Sequence, residues 1–184
     1  MLRSRNIHFF IILFFAACSN PSDQKTYRNS LELKNDSLTV ILKEVLYNAD
    51  TVLLIGHTGR KYKPPGQNDT LPSIPSLVIN EKLNAEIIKK QKVLKKAEID
   101  TLFSILTRLV TENEGGAHCE FDPHHSIVIV KNSKISYMDM CLKCHQFELS
   151  QGFPPLPFFD FTKWDQLDTF FTKTGARYYQ YKGL

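Results

Sequence analysis

The chain has 184 residues, 42% of them apolar and 23% charged, with a formal charge of +4. That length suits one core-bearing domain and is short for two, and the composition is that of a globular chain. Arg3 and Arg5 fall in a segment expected to be removed, which brings the mature chain closer to neutral and gives no case for nucleic acid as a partner.

The N-terminal "MLRSRNIHFFIILFFAAC" places two arginines before an apolar run, Phe9 to Ala17, that is too short to span a bilayer. Small residues follow, and then Cys18. "FAAC" resembles the lipobox of bacterial lipoproteins. The resemblance implies a signal peptide over residues 1–17 and an acylated Cys18 as the first mature residue. It further implies an envelope protein held to a membrane by its lipids, outside the cytoplasm. The polar stretch to residue 36 reads as a lipidated tether, and residues 37–184 as a single domain.

"SLTVILKEVLYN" sets Leu38, Ile41, Leu42, Val45 and Leu46 at helical spacing, with Ser37 as the expected N-cap. "DTVLLIGHT" (50–58) is a continuous apolar run ending near glycine and reads as a buried strand. Residues 59–75 are rich in Pro, Gly and Asn and predict a long loop, with His57 as a strand-end residue at its mouth. "SLVINEKL" and "EIIKKQKVL" are expected to pair with each other as strands. Residues 97–112 predict a helix whose apolar face is Ile99, Leu102, Phe103, Leu106 and Val110.

"SIVIV" (126–130) and "KISYMDM" (134–140) flank Asn132-Ser133, which predicts a hairpin with a two-residue loop. Val128 then faces Tyr137, and His124 lies opposite Cys141. Residues 162–175 predict a last helix, with Thr162 as cap, a stripe of Trp164, Leu167 and Phe171, and Gly175 as stop. "YYQY" reads as packing or a terminal strand. The order of elements gives an α+β fold, one small domain with a central antiparallel hairpin or sheet packed by two or three helices.

The open end of the hairpin gathers Cys119, His124 and His125 with Cys141, Cys144 and His145. Three chemistries want such a set. "CLKCH" spells covalent attachment of haem c, with Cys141 and Cys144 as thioethers and His145 as proximal ligand. Cys119, Cys141 and Cys144 with one histidine, His145 or His124, would make a tetrahedral zinc site. Export favours a disulfide, which leaves one of these three thiols free or in exchange. Taken singly, His118, His124 and His125 read as polar strand-end residues.

"GGAHCEFDPHHSIVIV" followed by "ISYMDMCLKC" resembles a group of exported proteins and lipoproteins from Bacteroidetes, over about residues 95–175. The resemblance implies that Cys119, Cys141 and Cys144 are the shared set, with His145 outside it, and implies no activity. G-x-S-x-G, Walker and H-E-x-x-H patterns do not occur, and the carboxylates of "EFD" (120–122) beside the histidines read as surface pairing. The expectation is a non-catalytic envelope protein with a disulfide-linked or metal-binding Cys/His cluster. A haem electron carrier and a thiol redox protein are the alternatives.

Overall fold

In the computed structural model, residues 36–58, 76–110, 119 and 121–178 are described. The signal peptide and nearly all of the tether, the 59–75 loop, His118 and Glu120 lie outside them, as does "YYQY" beyond Tyr178. The fold is α+β. Helix α1 covers residues 36–47, α2 Lys96–Thr107 and α3 Phe161–Lys173. The strands are β1 (Thr51–His57), β2 (Val78–Ile79), β3 (Lys82–Leu83), β4 (Ile88–Val93), β5 (His125–Lys131), β6 (Lys134–Cys141) and β7 (Gln146–Leu149). Five of them form an antiparallel sheet in the order β4-β1-β5-β6-β7, and β2-β3 is a separate hairpin.

Alternation along β1, β5 and β6 divides the core between the two faces of the sheet. On one face Val52, Leu54, Ile127, Ile129, Met138 and Met140 pack under the helices, against Leu42, Leu102, Leu167 and Phe171. On the other, Leu53, Ile55 and Val128 are covered by Leu77 and Ile87 from the segment around β2-β3. Burial on both faces is why β1 and β5 read as continuous apolar runs. The outer strand β4 is exposed along Lys89, Lys90 and Gln91, a charged edge that discourages pairing with another chain.

The β5-β6 hairpin has the expected register, Val128 opposite Tyr137 and Lys131 opposite Lys134. Asn132 and Ser133 both take positive φ, 50° and 62°, the conformation a two-residue hairpin turn needs to match strand twist. Asp50 accepts a hydrogen bond from the Asn132 amide at 2.7 Å and ties this turn to the start of β1.

Several expectations are corrected. "SLVINEKL" does not pair with "EIIKKQKVL": it folds on itself as β2-β3 about Asn80-Glu81, and β4 pairs with β1 instead. Both turn residues sit at positive φ, so the chain reverses before a long strand can form. Ser37 lies inside α1 rather than capping it, and Ile41 is exposed. Helix α2 stops at Thr107 because Arg108 turns to extended backbone, φ −51° and ψ 127°, so Val110 falls beyond it. The cap of α3 is Asp160, not Thr162: its carboxylate accepts from the Lys163 amide at 2.8 Å and also pairs with Arg108. Gly175, at φ 77°, ends the helix as expected.

Beyond Gly175 the chain crosses β1 at Gly56. A Cβ on Gly56 would stand 2.5 Å from the Ala176 carbonyl oxygen and 2.7 Å from Tyr178 Cβ, so only glycine admits this crossing.

Candidate functional site

The "CLKCH" motif is a hairpin turn. Cys141 ends β6 and pairs with Gln146, which opens β7, so Leu142 to His145 form the loop between two strands. His145 sits at φ 53°, the left-handed step that lets the chain return. The Cys144 amide N–H points back to Cys141, 3.2 Å from its carbonyl oxygen and 3.2 Å from its Sγ. Cys144 is bonded to Cys119 in a disulfide across 25 residues of sequence, with a Cα–Cα separation of 5.8 Å. Cys119 is exposed, whereas Cys141 and Cys144 are each 5% exposed, and Cys141 is a free thiol.

The expected histidines do not join these sulfurs. His145 stacks on Trp164, with ring centroids 5.7 Å apart and planes 17° from parallel, and also meets Phe161. It therefore faces α3. His125 points to the same helical face, edge-on to Phe171 at 5.2 Å, and its Nε2 accepts the Tyr178 amide at 3.1 Å. Burial, with the Arg177 charge next and then His57 and His124, pushes its pKa down to about 3, so the ring is neutral. Among the described residues its Nδ1 has no hydrogen-bond partner.

His124 does lie at the cysteine end, one step past the His125–Met140 pair. Its amide donates to the Met140 carbonyl at 3.1 Å, while its ring bridges Asp122 Oδ2 and the His57 carbonyl, each at 3.2 Å. Cys119 and Cys144 are thus brought together as expected, with Cys141 beside them and His145 and His125 turned away. Among the described residues no group of three or more histidine, cysteine or acidic side chains is placed to hold a metal ion.

A polar group that the sequence reading passed over fills the adjoining part of the sheet face opposite the helices. His57, Ser126 and Asp139 are each 0% exposed. Asp139 Oδ1 accepts from Ser126 Oγ at 2.8 Å and lies 3.0 Å from His57 Nε2; His57 Nδ1 lies 3.1 Å from the Thr58 carbonyl. A carboxylate oxygen can only accept, so Asp139 Oδ1 takes hydrogen bonds from both the Ser126 hydroxyl and the His57 Nε2–H. The hydroxyl bonds the carboxylate rather than the imidazole, so this is not the nucleophile–base contact of an acyl-transfer triad. It is a clamp across β1, β5 and β6.

A signal for it was present. In strands buried on both faces, Ser126 and Asp139 are inward polar residues facing each other in register, and buried polar groups require partners.

Lys163 is the other buried charge, also 0% exposed. Its Nζ donates to the Leu106 and Phe158 carbonyls at 3.0 and 2.7 Å and stands 4.8 Å from the Phe159 ring centroid. Burial, assisted by Arg108 and opposed by Asp160, pushes its pKa down to about 8. It ties the end of α2 to the start of α3. A groove of about 630 Å³ between those helices is lined by Asp100, Ser104, Arg108 and Gln166 among others, and includes none of the cysteines or histidines above. Among the described residues no helix is long and apolar enough to cross a membrane.

Set against known protein families, curated proteins and solved structures, the chain finds no match.

Proposed function

We propose that this is an exported, lipid-anchored envelope protein, acylated at Cys18, whose functional end is the Cys119–Cys144 junction at the mouth of the β5-β6 hairpin. The single observation that carries the reading is the bond between Cys119 and the turn at Cys144. Disulfides persist in oxidising compartments, and the N-terminal "FFAAC" supplies the matching export route. The bond closes a loop across a sequence separation of 25, for which chain-entropy arguments give about 3.5 kcal/mol of stabilisation. It holds the segment before β5 against the β6-β7 turn.

The same geometry weighs against the other uses of the motif. Covalent haem would need Cys144 as a thioether and the His145 ring free, but Cys144 is cross-linked and the ring lies on Trp164. A Cys₃His zinc set would need Cys144 as a thiolate with a histidine beside it.

The test is intact mass and non-reducing peptide mapping of the full chain expressed in an export-competent bacterium. The expected result is a mature chain beginning at acylated Cys18 in the membrane fraction, with a 119–144 linked peptide. Cys18→Ser should lose the acyl mass and leave the membrane fraction. An unmodified Cys18, or haem mass on Cys141 and Cys144, would overturn the reading.

A further inference from the structure

Three cysteines come together at the β6-β7 turn, and two of them are bonded. Cys144 is central: it is joined to Cys119, while its own amide hydrogen is directed at Cys141 Sγ 3.2 Å away. Cys141 lies three residues from it within one tight turn, whereas Cys119 comes from 25 residues away and is exposed. We propose that Cys141 is the resolving thiol of an internal thiol–disulfide exchange, in which Cys141–Cys144 replaces Cys119–Cys144 and Cys119 is released as a surface thiol.

The inference rests on the cross-link proposed above and adds to it a thiol-exchange activity. The Cys141 thiolate attacks Cys144 Sγ and forms the new S–S bond; the Cys119–Cys144 bond breaks. Cys119 leaves with the electron pair of that bond and takes up the proton that Cys141 lost. Nothing is oxidised or reduced overall, so no external oxidant or reductant is needed.

The geometry favours this route in three ways. The attacking and attacked residues share one turn, so they are held at high effective concentration. The Cys144 N–H offers a hydrogen bond to the sulfur that bears charge as exchange begins. The departing thiol belongs to Cys119, the exposed residue of the three, whereas Cys141 and Cys144 are buried. Cys119 is then untied from the hairpin and left able to form a mixed disulfide with an external disulfide.

The test uses the full chain, purified without reductant, alkylated with iodoacetamide under native conditions, quenched in acid and peptide-mapped over time. The expected result is alkyl label accumulating on Cys119 together with a 141–144 linked peptide. Cys141→Ser should lose the label on Cys119 and keep the 119–144 peptide. Cys119→Ser should carry a 141–144 disulfide and no free thiol at either position.

A 119–144 peptide that never declines, with label on Cys141 only after unfolding, would overturn the exchange and leave the cross-link standing. Three reduced thiols at 119, 141 and 144, or zinc released on their modification, would overturn the cross-link and the exchange together. The parent time course decides the question even if a serine variant does not fold.

Discussion

On the face of the sheet that the helices cover, Leu54, Ile127 and Met138 meet Leu42, Leu102 and Phe171, all 0% exposed. On the opposite face, at the cysteine end, His57, Ser126 and Asp139 are just as deeply buried but are held by directed hydrogen bonds. The two regions answer differently to change. Apolar packing is non-directional and loses stability in proportion to what is removed. A buried polar network is neutral to favourable when complete and strongly unfavourable when one member is missing.

The largest expected effects separate the two. Phe171→Ala should cost about 3–5 kcal/mol through lost burial and the cavity beneath His125. Asp139→Ala should cost a comparable ~3–5 kcal/mol for a different reason, since it strands the His57 ring and the Ser126 hydroxyl. The contrast sharpens in a combined variant. Replacing His57 and Asp139 by leucine with Ser126→Ala should recover much of the loss, whereas no apolar companion substitution has an unpaired partner to relieve at Phe171. Denaturant midpoints at constant m value are the measurement. An Asp139→Ala variant as stable as its parent would break the comparison.

His125 predicts a pH dependence that belongs to the helical face. Its folded pKa, about 3, lies below the ordinary value of 6.5, so between those values the unfolded chain binds the extra proton. Stability from this group is therefore complete above pH 6.5 and falls as the pH drops towards 3, by up to about 1.4 kcal/mol per pH unit. His125→Gln should flatten that slope in acid unfolding curves. A slope unchanged by the substitution would assign the acid sensitivity elsewhere. The smallest effect is expected at the junction of α2 and α3. There Asp160→Ala removes the cap of α3 and the Arg108 ion pair, for about 1 kcal/mol in thermal or denaturant unfolding.

Much of the α+β fold was legible in the sequence. Asn132-Ser133 set the hairpin register, the run over 51–57 marked the buried strand β1, and Gly175 marked the end of α3. Strand β7 was not legible, because "QFEL" is short and only half apolar and is made a strand by pairing with β6. The cap of α3 was misplaced because Asp160 and Thr162 are both plausible caps by type, and contact with Arg108 favours the former. The candidate site was legible in part. Neighbouring residues on a strand face opposite ways, so His124 and His125 could not both have served one centre. The left-handed φ at His145 and the ring of Trp164 then carried the third histidine to the helical side.

Local sequence alone was enough to place Cys141 and Cys144 at the open end of the β5-β6 hairpin, since the Asn132-Ser133 turn and strand alternation act within a few residues. Which sulfur Cys119 would reach, and which way each imidazole would point, was decided only when β1, α3 and the segment before β5 closed around that end. Those outcomes depend on contacts between residues far apart in the chain, whose closure entropy and packing no local pattern encodes.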